Sequence, residues 1–177
     1  FNLDELLLPP AHPATFHAYM ARHAWERTGL REQRCDIPRL GAAALDECHR
    51  YDAVLAACGG LDLAILGLGA DGHVAYNLPG PPVNGTHVVT LSESLADRLS
   101  VPPDRRPLRA ITVGFAAVRG ARRLLVLATS ADKARAVQQL VLGPADQNWP
   151  CSLLREHPNL DLVLTAAAAA LLPRRPR

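Results

Sequence analysis

The stretch from Leu61 to Gly80, LDLAILGLGADGHVAYNLPG, constrains this chain more than any other. From Leu61 to Leu66 only Asp62 is polar. A short apolar run of this kind, cut off by Gly67, reads as a strand buried on both faces of a parallel sheet. Gly67 and Gly69 then let the backbone turn sharply where the strand ends. Asp71, Gly72 and His73 follow, so an acid and an imidazole stand together at the carboxyl edge of a strand. In open α/β sheets that edge is where ligands bind. The acid orients the ring, which makes His73 a candidate proton shuttle near neutral pH.

The same letters imitate another motif. Gly67, Gly69 and Gly72 fit the dinucleotide fingerprint G-x-G-x-x-G, and Glu93 stands about twenty residues on, where the ribose-binding acid would be. That site needs a helix directly after the glycines, so that its N-terminus can hold the pyrophosphate. Here the continuation is HVAYNLPGPP, and Pro79, Pro81 and Pro82 leave no room for one. The expectation is therefore no nicotinamide or flavin, and no cofactor of another kind is called for.

A chain of 177 residues is long enough for one domain with a sizeable core, expected over 1–177. A net charge of +2 argues against nucleic acid as a partner. The arginine pairs Arg105–Arg106 and Arg174–Arg175 read as solvated surface. The alanine-leucine run after Thr165 is far short of the roughly twenty residues that span a bilayer. Cys35, Cys48, Cys58 and Cys151 lack metal or redox spacing. No metal is expected, and free thiols suit a cytoplasmic protein.

Along the chain, FNLDE reads as the tail of a strand, Phe1–Leu3, delivering Asp4 and Glu5 to its carboxyl edge. Thr15 is placed to cap a helix with Phe16, Tyr19, Met20 and Ala24 on its apolar side, ended by Gly29. Leu45, Cys48, Tyr51, Leu55 and Cys58 mark a second amphipathic helix, stopped by Gly59–Gly60. Strands are expected at His87–Leu91, Arg109–Val113, Leu124–Ala128 and Leu162–Leu164. Between the first two, Ser92–Leu108 reads as a long, lid-like excursion. Ser130 is placed to cap a helix whose inner face is Ala136, Val137, Leu140 and Val141, and Ala166–Leu172 to close the chain as another. Lys133 falls in the first turn of its helix, an awkward place for a cation unless an anion sits beside it. Strands alternating with helices predict an α/β fold of three layers, with a mostly parallel, Rossmann-like sheet and helices on both faces.

These pieces together resemble the glucosamine-6-phosphate deaminase family, within the fold group that includes the 6-phosphogluconolactonases. The likeness runs through FNLDE (1–5), HPATFHAYM (12–20), LGLGADGHVAYNLPG (66–80), AITVG (110–114), SADKARAV (130–137) and PCSLLREHPN (150–159). The resemblance implies a sugar-phosphate substrate, an amino sugar converted to fructose 6-phosphate with loss of ammonia. It implies Asp4 as the base acting on carbon, His73 as the ring-opening group and Asp71 as the residue orienting it. It places Lys133 and Arg98 at the phosphate, and Glu5, Gly67, Gly69 and Gly72 about the sugar. It also implies possible homo-oligomers.

The chain departs from the family pattern in three places. Leu78 stands where the family carries a glutamate, five residues after His73. The lid block around Arg98 differs in its neighbouring sequence. The family's opening strand and phosphate loop are absent, so an N-terminally incomplete domain is expected. A 6-phosphogluconolactonase, an amino-sugar-phosphate isomerase, and a sugar-phosphate-binding module with a decayed site stay open beside the deaminase. His12, His17, His23, His49, His87 and His157 read as structural, Asn77 as bonding its own loop, and Ser152 as a cap.

Overall fold

Alternation of apolar and polar residues, interrupted by glycine and proline, builds six strands in the computed structural model, which describes residues 1–29 and 35–173. Arg174–Arg175 lies outside the described residues. The contacts group the chain into two compact units, 1–54 with 85–113, and 55–84 with 114–177.

The first unit holds an antiparallel sheet of order β1-β4-β3, made of β1 (Asp4–Leu6), β3 (His87–Thr90) and β4 (Arg109–Thr112). Asp4 pairs with Thr112 in the register of β1 and β4. The strand therefore begins at Asp4, rather than ending before it as the sequence suggests. Leu6, Leu108, Ala110 and Ile111 are buried on this sheet.

Thr15 caps α1 (Phe16–Met20), its hydroxyl accepting from the Ala18 N–H at 3.2 Å. The helix runs on through a wider π turn, Ala21–Trp25, and α2 (Glu26–Thr28) to a left-handed Gly29. Its inward residue is Trp25, whereas Tyr19 is exposed and stacks on His23. The extra residue of the π turn rotates the apolar face away from simple 3.6-residue spacing. In α3 (Ala44–Ala57) Cys48, Tyr51 and Leu55 are buried as expected, but Leu45 is exposed, as is Cys58 just after the helix. Asp52 anchors this helix to the start of β3 by accepting from the Thr86 N–H at 3.0 Å and from its hydroxyl.

The expected excursion 92–108 is a built substructure. It contains α4 (Glu93–Arg98), capped by Ser92, and a short 3-10 turn, Pro103–Arg105. Arg106 ties it together by pairing with Glu93 at 2.9 Å and Asp97 at 2.7 Å, and Val101 and Leu108 are buried beneath.

The second unit is built on a parallel sheet of order β2-β5-β6, made of β2 (Leu63–Gly67), β5 (Arg123–Ala128) and β6 (Leu160–Leu164). Parallel pairing is thus confined to this sheet within the α/β fold. Ala64, Leu66, Leu124 and Val126 are buried on one face with Val118 of α5 (Phe115–Arg119) and Val137 and Leu140 of α6 (Ala134–Leu142). On the other face Leu63 is 46% and Ile65 57% exposed, so β2 is not buried on both sides. Residues 166–171 form turns rather than a closing helix. The Thr165 hydroxyl accepts from the Ala168 N–H, and Pro173 follows, so the turn has no length over which to propagate. Among the described residues no helix is long and apolar enough to cross a membrane.

Candidate active site

The turn after β2 is closely packed on itself. Gly69 N–H donates to the His73 carbonyl at 2.9 Å, and Gly72 N–H donates to the Gly69 carbonyl at 3.0 Å. An added Cβ at Gly69 would lie 2.6 Å from Asp71 Oδ1 and overlap the His73 ring. Only a residue without a side chain lets the loop fold back so closely. Gly72 has φ +84°, the left-handed region that L residues avoid. Gly67, by contrast, meets nothing within 4 Å of an added Cβ, so neither a sharp turn nor a close contact explains it.

This turn brings Asp71 and His73 together. Asp71 Oδ1 lies 2.7 Å from His73 Nδ1 and also accepts from the His73 N–H at 3.2 Å. A carboxylate only accepts, so the hydrogen sits on Nδ1 and Nε2 is the unprotonated nitrogen. The imidazole is half-buried. After it, an isolated bridge joins Val74 to Asn77, whose N–H and side-chain amide both donate to the Val74 carbonyl at 3.0 and 3.2 Å. A tight turn therefore stands where the dinucleotide fingerprint requires a helix. Leu78 follows, half-buried.

A second segment underpins the turn. Cys151 N–H donates to the Gly72 carbonyl at 2.8 Å, and Gly80 N–H donates to the Gln147 carbonyl at 2.9 Å. A Cβ on Gly72 would stand 2.9 Å from Trp149 Cε3 and 3.1 Å from Cys151 Sγ. Burial pushes the Cys151 thiol up to about 12, so it stays protonated and inert. Ser152 pins the same segment: its hydroxyl accepts from the Asp146 N–H at 2.9 Å, which replaces the expected capping role. Sequence reasoning passed over Trp149. Its signal was a lone large aromatic within the polar run DQNW.

Lys133 ends a 3-10 turn, Ala131–Lys133, and occupies the N-cap position of α6. The anion beside it is Asp132, 3.0 Å from its Nζ. Asp132 is held below the usual carboxylate range by the Ser130 hydroxyl first and the Lys133 amine second. Ser130 thus bonds Asp132 and makes no side-chain cap.

Asp4, Glu5 and Arg98 belong to the first unit. Asp4 is half-buried at the start of β1, and Arg98 is exposed in the last turn of α4. Glu5 is fully buried, and its carboxylate accepts from the N–H groups of Leu6 (2.7 Å), Phe16 (2.8 Å) and His17 (2.8 Å). Burial raises its pKa, against the lowering effect of these bonds. Glu5 therefore anchors the start of α1 to β1. A cavity of about 780 Å³ in this unit is lined by Glu5, Pro10, His17, Trp25 and residues 35–40.

Five of the other histidines serve the backbone or pack against rings, and His49 is exposed on α3. His12 Nδ1 accepts from the Ala14 N–H, His157 bridges to the Ala121 carbonyl at 2.8 Å, and His17 meets Trp25 edge to face.

A family model described as glucosamine-6-phosphate isomerases/6-phosphogluconolactonase matches residues 1–163. The chain is 40% identical to a glucosamine-6-phosphate deaminase of Rhodopirellula baltica over 181 aligned positions, covering 99% of this chain and 72% of that one. A deaminase of Halothermothrix orenii is 38% identical, with 97% and 74% covered. Among solved structures, a monomeric glucosamine-6-phosphate deaminase superposes with a TM-score of 0.87 at 32% identity, covering 96% of this chain and 73% of that one. The 6-phosphogluconolactonase of Trypanosoma brucei, at 22% identity and a TM-score of 0.67 over 97% of this chain and 73% of its own, shares the fold.

Proposed function

Because the chain belongs to the glucosamine-6-phosphate isomerase/6-phosphogluconolactonase family, we propose that it converts glucosamine 6-phosphate and water to fructose 6-phosphate and ammonia. The observation that carries this reading is the Asp71–His73 pair, 2.7 Å apart on a glycine-locked turn at the end of β2. The reaction needs a group that moves a proton between ring oxygen and solvent while the sugar opens. His73 Nε2, its ring oriented through Nδ1, is suited to that work. It then needs a base to carry a proton from C2 to C1, after which water displaces the nitrogen as ammonia. Asp4 takes this role, and Lys133 meets the phosphate by exchanging its contact with Asp132 for the more highly charged ligand.

Leu78 bears on how the site works. With no carboxylate at this position, Asp71 is the acid that holds His73 Nδ1. The test is turnover in deuterated water. Deuterium at C1 of the fructose 6-phosphate, lost in the Asp4→Asn variant, supports the carbon-base role. Hydrolysis of 6-phosphogluconolactone that is retained in Asp4→Asn, with no ammonia from the amino sugar, turns the reading to a lactonase.

A further inference from the structure

Hydrogen bonds within the turn set its shape, and the segment packed against it sets where the turn, and with it the imidazole, is held. The Gly72 backbone occupies the space against Trp149 that a side chain would need, with Cε3 only 2.9 Å from the position of an added Cβ. The indole also carries the Arg135 guanidinium, 5.5 Å from the ring centroid, in a cation–π contact. Arg135 belongs to the first turn of α6, two residues after Lys133. The segment bearing Trp149 is itself immobilised. Trp149 N–H donates to the Asp146 carbonyl at 2.9 Å, Ser152 N–H donates to the Trp149 carbonyl at 2.7 Å, and Cys151 N–H grips the Gly72 carbonyl.

We infer that Trp149 is a positioning residue for His73: the indole, held by Arg135 and packed against Gly72, keeps the left-handed turn that presents Asp71 and His73. It also couples that turn to the start of the helix bearing Lys133. Trp149 is half-buried and part of no sheet or long helix, so its aromatic surface is not needed to close the core of the second unit. What it touches is the turn. The inference rests on the reading of His73 as the proton-transfer group.

The test compares Trp149→Phe and Trp149→Leu with the unaltered chain by two readouts. The first is the ¹⁵N imidazole spectrum of His73, assigned by its loss in His73→Gln. The second is kcat and KM for glucosamine 6-phosphate. A flat ring preserves contact with both Arg135 and Gly72, whereas leucine preserves volume alone. The Phe variant should keep a single Nδ1–H tautomer and a kcat within about 3-fold. The Leu variant should show a mixed tautomer and a kcat lower by about 10- to 100-fold at nearly constant KM, the cost expected of sub-ångström misplacement. A His73 spectrum unchanged in the Leu variant overturns the inference. Because the spectrum needs no turnover, an inactive parent chain would defeat the proposed reaction while leaving the role of Trp149 decided by the spectrum.

Discussion

The Nδ1 of His73 lies 2.7 Å from Oδ1 of Asp71, and this contact sets which nitrogen of the ring faces outward. In Asp71→Asn the amide can donate as well as accept, so it supports the opposite tautomer and turns the protonated nitrogen outward. Asp71 is largely exposed, so its substitution should leave the fold intact. The expected outcome is an unchanged circular dichroism spectrum with kcat reduced by roughly 10²-fold or more. Steady-state kinetics on the two proteins make the comparison.

Gly67 and Gly72 flank the same loop but meet different surroundings. Gly72→Ala places a methyl 2.9 Å from Trp149 at φ +84°. It should cost at least about 1–2 kcal/mol of stability from the left-handed backbone alone. Gly67→Ala meets no atom within 4 Å. It should stay within about 0.5 kcal/mol of the parent chain, as an open position allows. Urea denaturation of both variants separates them.

Glu47 and Arg50 give the fold a pH dependence of known sign. Burial alone would raise the Glu47 carboxyl, but the Arg50 guanidinium at 2.6 Å and the Arg39 N–H outweigh it and hold its pKa below 4.5. A depressed folded-state value means that the stabilisation is complete above the unfolded pKa and is lost as pH falls through the folded one. Glu47→Gln should therefore be less stable than the parent chain by about 1–3 kcal/mol at pH 7, in line with a charged hydrogen bond. The gap should narrow as the pH falls through the unfolded-state glutamate range toward the lower folded-state value. Chemical denaturation across that range shows whether it does.

Cysteine reactivity distinguishes the two ends of the second unit. Cys58 is exposed, whereas Cys151 is fully buried beneath Gly72 with its thiol at about 12. Iodoacetamide at pH 8 should label Cys58 within minutes and Cys151 only after denaturation. Peptide mapping of the native and unfolded chain reads both sites.

The turn bearing Asp71 and His73 was legible in the sequence because its geometry is local. Glycines at 69 and 72 announce a backbone no other residue can follow, and an acid two positions before a histidine closes on it within the same turn. Strand positions after the first were legible for the same reason, whereas the first begins at Asp4 instead of ending before it. The burial of β2 was not: LAIL states what a strand is able to bury, and Leu63 and Ile65 are exposed because no described element covers that face. The antiparallel pairing of β1, β3 and β4 was not legible, because pairing direction depends on partners remote in sequence, such as Asp4 with Thr112. Glu5 looked like a surface acid or a ligand, and only tertiary structure shows its two oxygens occupied by the start of α1. Trp149 went unnoticed since nothing in its own segment tells that it lies against Gly72.

The most direct test of the central claim is ammonia release from glucosamine 6-phosphate by the folded, purified chain beside its His73→Ala variant. The account predicts turnover in the first and its loss in the second, with both still binding the sugar phosphate. Sugar-phosphate binding without ammonia release in the unaltered chain, or equal release in the variant, would contradict it.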